Sequence, residues 1–209
     1  MRAGSLFGAD LPEGFLHRDE FISTAEEAAL AEHIGRVEFA TFEMRGVVAR
    51  RRVAFFGESY DRPSTHVLQR DSGQRSLRAG APAPSPPIPE FLFPVRDRLA
   101  AWAGVAPADF VMALINEYRA GAPIGWHRDA PQYDITAGVS LLSACVMRLR
   151  PYASPAQAAR QNIRRKTTHE IALFPRSAYV IRGLARSGYE HSIPDVAQLR
   201  YSITFRTLR

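Results

Sequence analysis

The sequence predicts a mainly β chain with flanking helices: a double-stranded β-helix, or jelly roll, preceded by an N-terminal helical and lid extension. Three observations carry that expectation. After Asp109 the chain falls into eight short runs rich in β-branched and aromatic residues, separated by turn residues. Two histidines and an aspartate stand at the ends of such runs, where two packed sheets can bring distant strands together. The length of 209 residues and a hydrophobic content of 46% suit one soluble domain with a proper core. We read residues 1–209 as that domain, with 1–109 as extension, lid and helices and 110–209 as the jelly-roll core.

In chain order, residues 1–23 read as an entry segment anchored by Phe15, Phe21 and Ile22. Ser23-Thr24-Ala25-Glu26 is a capping box, in which serine and glutamate satisfy each other's backbone N–H groups, so a helix is expected to about Arg36. Extended chain begins at Val37. Between Gly46 and Tyr60, alternation puts Val47, Ala49, Arg51, Val53 and Phe55 on one face, and Val48, Arg50, Arg52, Ala54 and Phe56 on the other. Its arginines suit either an edge strand protected against aggregation or a cover over a site. Asp71-Ser72-Gly73 reads as a turn and Ala81–Pro89 as a proline-rich surface connection. Glu90–Gly104 is expected to be a helix with Phe91, Val95, Leu99 and Trp102 on its core stripe and Pro94 near its start.

The expected strands are 110–118, 124–128, 137–143, 145–150, 168–174, 177–182, 188–193 and 198–207, with a small excursion at 154–161. His127 and Asp129 are two apart on extended chain after the Gly121–Gly125 turn, so both side chains point the same way. One imidazole nitrogen and one carboxylate oxygen then reach a single ion, and His191 is the candidate third ligand. Two histidines and a carboxylate on one face of a metal form the non-haem Fe(II) oxygenase arrangement. Arg200 and Arg206 lie six apart on the last strand and face one way, between Tyr201, Ile203 and Phe205. Arginines on such a strand require an anion or several acceptors, and a dicarboxylate beside the metal would supply one. Asn116 and Tyr118 share a face of their own strand. His17, His33 and His66 carry no ligand spacing, and His169 is read as facing solvent.

With these residues in hand, the chain resembles the AlkB-type Fe(II)/2-oxoglutarate dioxygenases. The resemblance rests on Asn116-x-Tyr118-x-x-Gly121, His127-x-Asp129, His191 before Ile193-Pro194, and Arg200-x5-Arg206, in that order. It implies Fe(II) held by His127, Asp129 and His191, and 2-oxoglutarate as co-substrate held by Asn116, Tyr118, Arg200 and Arg206. It implies oxidative decarboxylation to succinate and carbon dioxide, coupled to hydroxylation of a substrate C–H bond. On an N-methyl group, that product loses formaldehyde. The segment from Arg51 to Gly57 resembles the family's lid, which makes Arg50, Arg52, Phe56 and Tyr60 candidate nucleic-acid contacts. Two positions depart from the pattern. Pro131 stands where the best-studied DNA-repair member has an acidic residue of the base pocket, and Ser202 stands where it has asparagine.

The net charge of +6 favours anionic partners, although an arginine bias of this kind also follows from codon composition; Lys166 is the one lysine. Arg50-Arg51-Arg52 and Arg164-Arg165-Lys166 are the clusters such a partner would touch, and Arg148 and Arg150 share a strand face. Alkylated DNA or RNA is the expected substrate; the alternative is a protein or small molecule, which Pro131 keeps open. A jelly-roll binding protein without turnover fits the full motif set poorly. The single Cys145 excludes an internal disulfide and reads as a small buried hydrophobe. With no apolar run long enough to span a membrane and no signal-peptide core in Met1–Phe7, the expectation is a cytoplasmic monomer that does not engage membranes.

Overall fold

The computed structural model describes residues 11–44, 47–58, 67–68, 85–153 and 168–209. Tyr60, His66, the Asp71–Gly73 turn, the prolines from 82 to 84, the excursion at 154–161 and Arg164-Arg165-Lys166 lie outside them.

Local chemistry starts the first helix where the sequence expects it and the second three residues later. Ser23 Oγ accepts from the Glu26 backbone N–H at 3.2 Å while Glu26 Oε2 accepts from the Ser23 N–H at 2.7 Å, and α1 runs Thr24–Ile34. α2, Phe93–Ala103, follows a 3-10 turn at Glu90–Leu92, carries proline in its first turn, and ends on Gly104 in the left-handed region. The helix expected from Glu90 therefore opens as the tighter form. Among the described residues a further short helix, Gly183–Ser187 (α3), stands where the sequence pattern gives no helix signal.

The strands are β1 Phe15–Arg18, β2 Ala40–Met44, β3 Val47–Gly57, β4 Val67–Leu68, β5 Phe110–Tyr118, β6 Ile124–His127, β7 Tyr133–Leu141, β8 Cys145–Pro151, β9 His169–Leu173, β10 Ala178–Ile181, β11 Tyr189–Ile193 and β12 Arg200–Leu208. All eight strands expected after Asp109 form. β7 starts early, at Tyr133, because it follows β12 as far as the Leu208↔Tyr133 pair. Phe15, expected as an anchor into the core, lies on a further strand, β1, formed by pairing with β10.

The strands sort into two sheets. The larger has the order β1-β10-β7-β12-β5-β3-β2-β4 and the smaller β6-β11-β8-β9. One face of the large sheet packs on α1 and α2 through Ile115, Val139, Leu141, Val180, Ile203 and Phe205. The other faces the small sheet, whose Met147, Leu149 and Ile171 cluster with Tyr118, Tyr179 and Ile181.

β3 corrects the reading of its segment. It is hydrogen-bonded on both sides, to β5 and to β2, and so is neither an edge strand nor a separate cover. The predicted alternation holds. Ala54 and Phe56 lie in the helix-side core, while Val53 and Phe55 join Met112, Leu114 and Tyr133 on the side of the small sheet. Gly57 ends the strand at φ +78°, where a Cβ would sit 2.2 Å from the Val111 carbonyl oxygen.

Candidate metal centre

β6 and β11 are antiparallel neighbours in the small sheet, and their register sets His191 directly opposite His127. Paired residues share a face, so both imidazoles point at the large sheet, their ring centroids 4.2 Å apart. Asp129 lies two residues past His127, beyond the end of β6. One ligand atom from each of the three residues lies within 4.8 Å of the other two, a spacing that fits one metal ion.

The surroundings prepare all three groups. His127 Nδ1 lies 2.8 Å from the Gly125 carbonyl oxygen, so Nδ1 carries the proton that it donates there and Nε2 is the bare nitrogen. The sequence could not supply this acceptor, a main-chain oxygen two residues back. Burial lowers the His127 pKa against the opposing pull of Asp129. Burial, with His127 beside it, brings His191 down to about 3, so both rings are neutral and able to ligate at pH 7. Burial alone would raise Asp129, but nearby positive charge, Arg206 first, outweighs it and holds the carboxyl well below its usual range. Asp129 Oδ2 accepts from Thr136 Oγ1 at 2.6 Å and Arg206 Nε at 3.3 Å, and Oδ1 accepts from Arg206 Nη2 at 3.2 Å. Thr136 and Arg206 are themselves a cross-strand pair on β7 and β12. The carboxylate that the small sheet's loop presents is thus fixed by the large sheet.

Arg200 differs from Arg206. It is 0% exposed, its Nε donates to Ser140 Oγ at 3.0 Å, and its guanidinium lies 5.1 Å from the centre of the Tyr118 ring. Nη1 and Nη2 are buried without a hydrogen-bond partner among the described residues. A buried cation with two idle donors in a planar fork is the counterpart of a carboxylate. Asn116 stands between the two ends: its Oδ1 accepts from Arg51 Nε at 3.2 Å. The structure therefore brings together His127, Asp129, His191, Asn116, Tyr118, Arg200 and Arg206 along the face between the sheets.

The candidate nucleic-acid contacts do not join them. Phe56 is buried in the helix-side core. Arg52 forms a two-pronged pair with Glu117, at 2.8 and 2.7 Å, and this pair raises its pKa. Arg50 is exposed, with Nη1 donating to the Gly121 carbonyl at 3.1 Å. Tyr60 lies outside the described residues. The arginine of this run that turns inward is Arg51, whose pKa burial lowers and whose charge acts on His127. Alternation had already put Arg51 with Val53, so the signal was present. Thr136 and Ser140 were missed because short hydroxyl residues on a strand have no distinguishing pattern. Arg148 and Arg150 pair with Glu170 and Glu190, and Arg150 also lies 4.1 Å over the Trp126 ring, while Arg128 lies 3.6 Å over Tyr152. His169 packs beside Tyr189, and Cys145 is buried as expected.

The family model described as the 2OG-Fe(II) oxygenase superfamily matches residues 14–206. Among solved structures, that of OsALKBH1 superposes with a TM-score of 0.66 at 15% identity, covering 94% of this chain and 99% of that one. A Pseudomonas putida prolyl-4-hydroxylase superposes with a TM-score of 0.60 at 12% identity, covering 95% and 94%. At these identities the likeness is one of fold. No curated protein sequence matches the chain.

Proposed function

The chain belongs to the 2OG-Fe(II) oxygenase superfamily, a family of Fe(II)- and 2-oxoglutarate-using dioxygenases, and we propose that it is an AlkB-type member that oxidatively removes alkyl groups from nucleic-acid bases. The carrying observation for the co-substrate is Arg200: a fully buried guanidinium whose two terminal nitrogens have no partner among the described residues suits the distal carboxylate of 2-oxoglutarate. In this reading His127, Asp129 and His191 hold Fe(II), and Asn116, Tyr118 and Arg200 hold 2-oxoglutarate. Arg206 acts on the metal side, through Asp129. Fe(II), when bound, supplies the redox chemistry in which dioxygen and 2-oxoglutarate give succinate, carbon dioxide and one oxygen atom inserted into a substrate C–H bond. The residues of this chain do the rest. Gly125 fixes the His127 tautomer, Thr136 and Arg206 keep Asp129 ionised and aimed, and the two sheets exclude water from Arg200.

For the substrate, support comes from the charge of +6 and from the two arginine–aromatic stacks, Arg150 on Trp126 and Arg128 on Tyr152, of which Trp126 and Arg128 flank His127 in sequence. Of the arginine run, Arg50 keeps an exposed charge with no carboxylate partner among the described residues. Replacing Arg50 by glutamine should therefore flatten the salt dependence of oligonucleotide binding by about 0.7 in log–log slope. Such chemistry suits the cytoplasm, whose reducing conditions keep iron as Fe(II).

A second reading, an oxygenase acting on a protein or small molecule, is favoured by the charges at the triad. Asp129 is committed to Arg206, Pro131 offers no carboxylate, and Arg51 and Arg186 add positive charge nearby. A positively charged methylated base meets no acidic partner there among the described residues. Incubating the Fe(II) protein with 2-oxoglutarate and N-methylated oligonucleotides or peptides separates the two. Formaldehyde and succinate in equal amounts from oligonucleotides support the first reading. Mass gain on peptides alone overturns it.

A further inference from the structure

The Arg200 anchor and the metal carboxylate are joined by a row of the large sheet to which no role has yet been given. On its inner face, residues opposite one another across the strands form three layers. Ser140, Ser202 and Asn116 make the layer beside Arg200, and Thr136 and Arg206 make the layer that grips Asp129. Between them lies the layer Tyr179, Gly138 and Thr204 on β10, β7 and β12. Successive layers on one face are two residues apart, about 7 Å. A molecule reaching from the metal to Arg200 must pass over this middle layer.

Its geometry is unusual in one respect. A Cβ built on Gly138 would lie 2.8 Å from both Cζ and the hydroxyl oxygen of Tyr179, and 2.9 Å from Thr204 Cγ2. The tip of the Tyr179 ring therefore leans across Gly138, and only the missing side chain makes room for it. The lean is fixed from behind, where Phe15 stacks parallel to Tyr179 with ring centroids 6.4 Å apart. Tyr179 is 5% exposed. Burial raises its pKa well above the ordinary phenol value, and Arg200 is the first among the charges acting on it, with Asp129 and Arg206 also felt. The phenol thus remains a hydrogen-bond donor at any pH near neutral, one layer along the sheet from Ser140, on which the Arg200 guanidinium rests.

We propose that Tyr179 is a further co-substrate-binding residue, whose hydroxyl donates to the same distal carboxylate that Arg200 receives, and that Gly138 is the residue that lets it reach. The proposal rests on the reading of Arg200 as the 2-oxoglutarate anchor. It extends that reading to a strand, β10, that carries none of the sequence motifs. An O–H bond to a carboxylate is charge-assisted, so losing it has a readable effect.

The test is calorimetric titration of the Mn(II)-loaded protein under air-free conditions with 2-oxoglutarate and, separately, with glyoxylate. Glyoxylate keeps the metal-chelating 2-oxo acid and lacks the distal carboxylate. Tyr179→Phe keeps the ring over Gly138 and removes only the hydroxyl. It should weaken 2-oxoglutarate roughly tenfold to a hundredfold and leave glyoxylate within twofold of the parent. Gly138→Ala must displace the phenol and should weaken 2-oxoglutarate to a similar degree. The double variant should lose no more than either single one, because both remove one contact. A Tyr179→Phe protein that binds 2-oxoglutarate within twofold of the parent overturns the proposal, as does an equal loss for glyoxylate, which would mean that the metal centre itself was disturbed. Arg200→Leu is run alongside. If it binds 2-oxoglutarate as tightly as the parent, the anchor reading falls and the Tyr179 proposal with it.

Discussion

The two faces of β12 make opposite use of burial. Tyr201, Ile203 and Phe205 point at the helices and are 8%, 0% and 0% exposed; Arg200, Ser202, Thr204 and Arg206 point at the small sheet and are 0%, 3%, 4% and 8% exposed. Exposure therefore does not distinguish the faces, whereas the chemistry does. On the helix side Ile203 and Phe205 pack into an apolar core, and burial itself is the stabilising term. On the inner side each polar group is desolvated, and its cost is offset only where it finds a partner. Arg206 finds Asp129, Thr204 Oγ1 donates to the Leu114 carbonyl, and Arg200 satisfies one nitrogen of three. A strand with a polar face normally shows it to water. Here that face is turned inward and dried, and on this the proposed 2-oxoglutarate site rests.

Substitutions on the two faces should then fail in different ways. Phe205→Ala removes a ring that is 0% exposed and lies 5.6 Å from the Phe110 ring. It should lower unfolding stability by about 3–5 kcal/mol. The protein that remains folded should bind 2-oxoglutarate as the parent does. Denaturant titration with and without the co-substrate checks both halves. A fall in affinity larger than the fall in folded fraction would break the contrast, because it would mean the core face sets the geometry of the pocket.

Arg200→Leu is the mirror case. It replaces a buried cation with two idle donors by an apolar side chain, which removes the cost of keeping that charge out of water. The metal-free variant should melt at or above the parent temperature while 2-oxoglutarate binding weakens by about 2–5 kcal/mol. A variant that loses stability and binding together would show that Arg200 is structural, and the comparison between the faces would lose its main support.

Much of this contrast was legible beforehand, and the reason is period two. Alternation along 198–207 separates Arg200 and Arg206 from Tyr201, Ile203 and Phe205 without any knowledge of the neighbours, and the same rule put Arg51 opposite Arg50 and Arg52. The triad was legible because His127-x-Asp129 is local and His191 sits in a run with a readable end. What alternation cannot reveal is which strand lies beside which. Thr136, Ser140 and Tyr179 reach the site through the β12-β7-β10 pairings, which are long-range, and Gly125 contributes only main chain. The same limit explains Phe56. Its face was read correctly, but that face turned out to carry α1 and α2 rather than a substrate. Nor could alternation reveal the partner of Arg52, because Glu117 is 65 positions away in sequence and adjacent only through the β3–β5 pairing.

The smallest expected effect tests how the helix side is closed. Arg98 on α2 pairs with Glu26 on α1, and the same carboxylate caps the helix at Ser23, so one side chain ties both helices over the core face. The hydrogen bond from Arg98, then the one from the Ser23 backbone, lowers the Glu26 pKa from its ordinary 4.5 to about 2. The folded chain therefore binds this proton less tightly than the unfolded one. The contribution is whole above about pH 5 and is lost as the pH falls toward 2. Glu26 is 38% exposed and Arg98 44%, so water screens the pair and holds its contribution to about 0.2–1 kcal/mol. Glu26→Gln should accordingly be less stable than the parent by that amount at pH 7, and the gap should close as the pH is lowered from 5 to about 2. Added salt at pH 7 should narrow it too, because the pair is solvent-facing. The Arg206–Asp129 pair, with side chains 10% and 6% exposed, should respond far less to salt. A Glu26 gap indifferent to both pH and salt would mean that the side chain acts there as a neutral cap, and that the two helices are held over β12 by apolar contact alone.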